Sequence, residues 1–394
     1  MPRFVSTATA AASRQAHSYL LAGTPASRFA ALPAGCRGKA TLSGSNVKTP
    51  AFAFDMDGVL IRGGKALPNA RRALEKLRGD NPQNKEIPFI VLTNSGGESE
   101  ASKAEKLSRK LGLKIDESQF IISSTPMRTL VPKHRNDLVH VVGPHACKAL
   151  AQKYGFKNVL TSREIRDWNR HAWPFHVRGD EHPQEPAPHD LANTPVGAIL
   201  IMHDPPDWGL DIQLIMDLLL SHRGDVTTRR NPLSVAESLS SSSSSDPGLP
   251  PIPLYSSNAD FLWANEHPHP RLGQGGFLAA LRGVWAQMVD DPAAQLPITT
   301  QFGKPSAPTY DYAKRVLGDG VVGGVDAVGD VYMIGDNPES DIRGANANGW
   351  VGVLVETGVY KHGDALDGGR KPAVVVKDVE AAVDWVLEKE GVLN

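Results

Sequence analysis

The chain has 394 residues, 41% apolar and 22% charged, with a formal net charge of −1. That length allows two or three domains with full cores, and no run of about 18 apolar residues suggests a membrane-spanning helix. With only Cys36 and Cys147 present, a disulfide framework is excluded.

Residues 1–54 contain no Asp or Glu, yet carry Arg3, Arg14, Arg28, Arg37, Lys39 and Lys48. Rich in Ala, Ser and Thr and lacking a long apolar core, the segment 1–48 reads as a mitochondrial transit peptide, with an untargeted disordered tail as the alternative. A mitochondrial location, in the matrix, follows as the expectation. Without those six cations, 36 basic residues face 43 acidic ones, and a net-acidic body argues against a nucleic-acid partner.

The first predicted strand is 51–55, and it runs directly into Asp55-Met56-Asp57-Gly58. Phe52 and Phe54 favour an extended buried segment, and Gly58 permits a sharp exit. Two carboxylates at the end of a buried strand are costly unless a metal or a reaction uses them; an Asx-turn would need only one. A helix is expected at 68–78, then a strand at 87–93 ending on Thr93-Asn94, a pair that could equally close a simple turn.

A second body is expected from 98 to 299. It opens with a charged helix and continues through strand–turn–helix units at 138–154 and 196–221. Loops near 178–193 and 224–253 are expected to be disordered, being rich in Pro and acidic residues or in Ser. Cys147 reads as a packing residue, and His203-Asp204 lacks a third ligand for a metal. Lys304 then precedes a helix, and strands follow at 331–335, 351–356 and 373–377, with a last helix at 378–390. The spacing of Gly318, Gly320 and Gly323 matches a dinucleotide fingerprint, but it follows a helix and reads as a helix stop. Near-continuous apolar strands alternating with helices predict an α/β fold, a Rossmann-like doubly wound parallel sheet formed by 49–97 and 300–394.

Asp336, Glu339 and Asp341 follow the strand VYMIG, where an acidic turn could simply cap a helix. Taken together, the strand-end residues form a chemical set. Asp55, Asp336 and Asp341 beside a phosphoryl group require a cation, and hard oxygen ligands select Mg²⁺. Thr93, Asn94, Gly58 and Lys304 supply groups to hold phosphoryl oxygens.

Four motifs, DMDGVL, VLTNS, GKPSAPTY and IGDNPESDI, agree in type, order and strand-end placement with the haloacid dehalogenase superfamily, which the chain resembles. The resemblance implies a phosphatase acting on a small phosphorylated metabolite. Asp55 would be the nucleophile that becomes an aspartyl-phosphate, and Asp57 the general acid/base. Thr93 and Lys304 would bind the phosphoryl group, with Lys304 orienting Asp55. Asp55, the Asp57 backbone carbonyl and Asp336 would ligate Mg²⁺, supported by Asp341. The large α/β cap between the second and third motifs resembles subfamily IIA, whose members often pair through the cap. Stretches such as TNSGGESEASKAEKLSRKLGL and HDPPDWGLDIQLIMDLL are similar to the mitochondrial cat eye syndrome critical region hydrolases. Asn258 and Asp260 stand where the subfamily contacts substrate. His267, His269 and Arg271 could face the leaving group or lie on a solvent rim. A catalytically weak binding protein of mitochondria and a phosphotransferase are the rival readings.

Overall fold

The computed structural model describes residues 48–175, 189–240, 251–263, 267, 269–321 and 323–393. The expected transit peptide, apart from Lys48, lies outside them, as do residues 178–188 and 241–250 of the two expected loops.

The first sheet is built from β1 (Thr49–Phe54), β2 (Phe89–Leu92), β3 (Phe120–Ile121), β9 (Val328–Gly335), β10 (Val351–Val355) and β11 (Val374–Val376). All its pairings are parallel, in the order β11-β10-β9-β1-β2-β3. Because side chains alternate along a strand, β1 feeds two cores. Phe52 and Phe54 pack with Leu74, Val383 and Val386 of helices Ala70–Leu77 and Val379–Lys389. Ala51 and Ala53 face Tyr310, Ala313 and Leu317 of helix Ala307–Asp319. This is the doubly wound layering expected from the uninterrupted apolar runs. Gly318 lies in that helix and Gly320 caps it, so the glycine spacing is a helix stop.

The second sheet comprises β4 (Leu138–Val142), β5 (Asn158–Thr161), β6 (Val196–Ile201), β7 (Leu254–Ser256) and β8 (Ile298–Gln301). It is also parallel, in the order β8-β7-β6-β4-β5. Its core includes Leu214, Leu218, Phe277, Leu281 and Trp285, from helices Trp208–Leu219 and Gln274–Met288. Among the described residues no helix is long and apolar enough to cross a membrane.

Two boundaries differ from expectation. Residues 98–121 do not open the cap. Helix Glu100–Leu111 buries Ala104, Leu107 and Leu111 in the first core, and β3 pairs with β2. Most of the charges that suggested a new body lie on the solvent side of that helix, while Glu100 is buried and accepts from Thr125 and Tyr154 (2.8 Å each). At the other end, β8 pairs with β7, so residues 300–301 belong to the second sheet. The expected loop at 224–253 contains helix Pro232–Ser240. Pro232 sits at its first position, the Asn231 side chain accepts from the Leu233 N–H (3.0 Å), and Val235 is buried.

Candidate active site

Parallel register brings the motif residues together. Phe54 pairs with Ile334 on one side and Val91 on the other, so Asp55, Asp336 and Thr93 emerge at neighbouring carboxyl ends. Backbone bonds continue the ladder one step further: Asp55 N donates to Ile334 O (2.9 Å) and Thr93 N to Ile121 O (3.0 Å).

Lys304 is 2% exposed, and its ammonium donates to Asp55 Oδ1 at 2.6 Å and to Asp341 Oδ1 at 2.7 Å. Its backbone is held by a side chain: Asn94 Oδ1 accepts from Lys304 N (2.7 Å) and Asn94 Nδ2 donates to Lys304 O (3.0 Å). Lys304 is therefore buried and not a solvated lysine, while Thr93 Oγ1 accepts from Ser95 N (3.1 Å) within the turn itself. Asn94 Nδ2 also donates to Asp260 Oδ2 of the cap (3.0 Å), and Asn258 Nδ2 donates to Asn94 O (3.4 Å). Asn258 and Asp260 therefore reach the motif loop, while His267, His269 and Arg271 are exposed.

The acidic turn divides its labour. Asn337 Oδ1 accepts from Glu339 N (3.0 Å) and takes the capping role. Asp341, fully buried, accepts from Asn337 N (3.0 Å) as well as from Lys304. Asp336 Oδ2 accepts from Val359 N (2.6 Å). Two glycines make room for that carboxylate. A Cβ on Gly58 would stand 2.4 Å from Asp336 Oδ2, and one on Gly358 only 1.8 Å. Gly58 also has φ +85, a conformation that side chains disfavour. Gly358, Val359 and the Thr357 hydroxyl, which donates to Gly58 O, are site residues that sequence reading missed. The run TGVY carries no signal until the fold sets it against Asp336.

Oxygens of Asp55, Asp336 and Asp341 lie within 4.8 Å of one another, the one such acidic or His/Cys group among the described residues. His203 and Asp204 are not part of it. Three carboxylates face a single ammonium, leaving the cluster short of positive charge. Burial, with Asp341 and Asp336 adding to it, pushes the Asp55 carboxyl well up, and Lys304 only partly opposes this. Burial and Asp341 lift Asp336 from the ordinary 3.8 to about 6. Burial works against the Lys304 charge, but Asp341 and Asp55 outweigh it and hold its pKa above normal. A hard divalent cation fits such an all-oxygen, charge-deficient site.

Asp57 stands apart from the cluster, and solvent reaches its side chain. The protein packed around it nonetheless strips enough water to raise its pKa, opposed by Lys103, Lys110 and Lys304. A buried carboxylate held by a lysine and a second, solvent-reached carboxylate two residues on thus stand at the carboxyl end of one parallel strand, where α/β sheets bind ligands.

Comparison with known proteins agrees. A family model described as haloacid dehalogenase-like hydrolase matches residues 52–157, and a second, HAD-hydrolase-like, matches 301–382. The chain is 38% identical over 364 residues to "Mitochondrial hydrolase YKR070W" of Saccharomyces cerevisiae, covering 87% of this chain and 96% of that one. It belongs to the haloacid dehalogenase-like hydrolases. Among solved structures, the p-nitrophenyl phosphatase of Archaeoglobus fulgidus shares the fold with TM-score 0.56 at 18% identity, covering 86% of this chain and 99% of that one. Glycerol phosphate phosphatase Rv1692 of Mycobacterium tuberculosis, in complex with magnesium, does so with TM-score 0.52 at 18% identity, covering 85% and 76%.

Proposed function

We propose that this hydrolase is a Mg²⁺-dependent phosphatase that cleaves a small phosphomonoester through an aspartyl-phosphate on Asp55. The observation that carries the reading is the Lys304 ammonium shared between Asp55 and Asp341 inside a cluster of three carboxylates. Such a site has a nucleophile, an orienting cation and a need for one more positive charge.

In this reading a carboxylate oxygen of Asp55 attacks phosphorus while Asp57 gives its proton to the departing ester oxygen. The P–O bond to the alcohol breaks as the bond to Asp55 forms. Asp57, now ionised, takes a proton from water, which attacks the aspartyl-phosphate and releases inorganic phosphate. Burial raises the Asp57 pKa, the direction a proton donor needs. Thr93 and Lys304 hold phosphoryl oxygens, and Lys304 fixes the orientation of Asp55. When bound, Mg²⁺ would be held by Asp55, Asp336 and the Asp57 carbonyl with Asp341 in support, and would offset repulsion between the carboxylate and its anionic substrate. The phosphatase names of the fold neighbours support the reaction class. Similarity to the yeast protein named a mitochondrial hydrolase supports a mitochondrial location, with residues 1–48 as transit peptide.

Phosphate release from p-nitrophenyl phosphate tests the reading: chelated protein should be inactive, and Mg²⁺ should restore turnover. Activity indifferent to chelator would contradict it. Stability should report the same site. The folded chain binds the Asp336 proton more tightly than the unfolded chain does. The cost of ionising Asp336 on folding is therefore absent below about pH 4 and complete above about pH 6, worth at most ~3 kcal/mol. Mg²⁺ should accordingly raise the melting temperature more at about pH 7.5 than at about pH 5; an equal rise at both would argue against Asp336 as a ligand.

Gly358→Ala makes a sharper probe. Its methyl would overlap the Asp336 carboxylate and turn it, so the Mg²⁺ concentration for half-maximal activity should rise roughly 10- to 100-fold. An unchanged Mg²⁺ requirement would remove Asp336 from the site.

A further inference from the structure

One cation near the site has no task in phosphoryl transfer. Lys103 lies in the first turn of helix Glu100–Leu111, where a positive charge opposes the helix dipole. Its ammonium donates to Ser95 Oγ at 2.7 Å, and Ser95 N donates to Thr93 Oγ1 at 3.1 Å, which ties Lys103 to the loop that follows the phosphoryl-binding threonine. The carboxylate that acts on it most strongly, Glu98, is already engaged: it accepts from Ser102 Oγ (2.7 Å) and from Lys106. Among the described residues Lys103 forms no ion pair within 4.0 Å, although it is half-buried. A cation in that setting, with one neutral partner, is poorly compensated.

Its surroundings belong to the reaction. Of the cations acting on Asp57, Lys103 has the largest influence, ahead of Lys110 and Lys304. From the cap, His203 at the end of β6 lies against the same loop: a Cβ on Gly97 would stand 2.7 Å from its ring, and one on Gly96 3.1 Å. Burial, and then Lys103, push the His203 pKa down to about 4, so the imidazole is neutral and adds no competing charge. Asp57 serves the leaving oxygen, so groups around Asp57 meet the portion of the substrate that departs.

We propose that Lys103 is a specificity-determining residue that binds a second anionic group, a carboxylate or a phosphate, on the leaving portion of the substrate. This assignment rests on the phosphatase reading above. It narrows the substrate class to phosphomonoesters whose alcohol carries its own negative charge.

Three esters that differ only in charge test it: 3-carboxyphenyl, phenyl and 3-(aminomethyl)phenyl phosphate, with the full chain at fixed ionic strength. The wild type should favour the carboxyl ester over phenyl phosphate by about tenfold in kcat/KM. In Lys103→Met that ratio should fall to near one. In Lys103→Glu the order should reverse towards the aminomethyl ester, a gain that a misfolded variant could not show. Ratios unchanged in both variants, or all three esters falling together in both, would overturn the assignment. Asp55-dependent cleavage without charge preference in the wild type would sink Lys103 alone. Release that Asp55→Asn leaves intact would remove the phosphatase reading, and this assignment with it.

Discussion

Asp55→Asn is expected to lower phosphate release by roughly 1,000-fold or more while leaving the chain folded and at least as stable without metal. Asn has the size of Asp, and its Oδ1 can still accept from the Lys304 ammonium that lies 2.6 Å from Asp55. What it loses is the anionic oxygen that attacks phosphorus. What it relieves is crowding, because one of three buried carboxylates facing a single ammonium is gone. The two readouts therefore separate: activity collapses, while the metal-free melting temperature holds or rises. A stabilising rise would shrink when Mg²⁺ is present, since the cation relieves the same repulsion in the wild type. Retained turnover would exclude Asp55 as nucleophile.

Lys304→Met is expected to fail in the opposite way, losing activity and stability together. The side chain is 2% exposed, and among the described residues its charge is the only one bonded to both Asp55 and Asp341. Met fills similar space but leaves two buried carboxylates without their cation, a loss of about 3–5 kcal/mol. Urea unfolding should show that loss near neutral pH. It should shrink in acid, where protonation removes the stranded charges. Adding Asp341→Asn to Lys304→Met should cost less than the sum of the single changes, because the residues share one interaction. Additive losses would mean that the contact contributes little to the folded state.

Five strands of the first sheet were legible because each is a short, nearly unbroken apolar run, as Ala51–Phe54 and Val351–Val355 show; β3, only Phe120–Ile121, is too short to give such a run. Their carboxyl ends were legible for the same reason, since polar residues stop those runs abruptly at Asp55, Thr93 and Asp336. Expectation failed where amphipathic elements hide half their character. The charged face of Glu100–Leu111 suggested a new domain, although its buried stripe of Ala104, Leu107 and Leu111 belongs to the first core. Helix Pro232–Ser240, short and next to a serine run, read as loop. Gly358 was invisible for another reason: its purpose is the space it leaves for Asp336, which stands 22 residues earlier in the chain and approaches only when β9 and β10 pair. The ambiguity of the acidic turn was also real. A cap was needed there, and Asn337 provided it, freeing both aspartates for the site.

In the proposed mechanism Asp55 carries the phosphoryl group. The direct measurement is an acid quench of Asp57→Asn during reaction with radiolabelled p-nitrophenyl phosphate, followed by peptide mapping. The p-nitrophenolate departs without help from an acid, so the first step proceeds, whereas attack by water lacks its base and the intermediate accumulates. Label should be covalently bound to the peptide that contains Asp55 and absent when Asp55→Asn is added. Protein without bound label, or label that persists in the double variant, would contradict it.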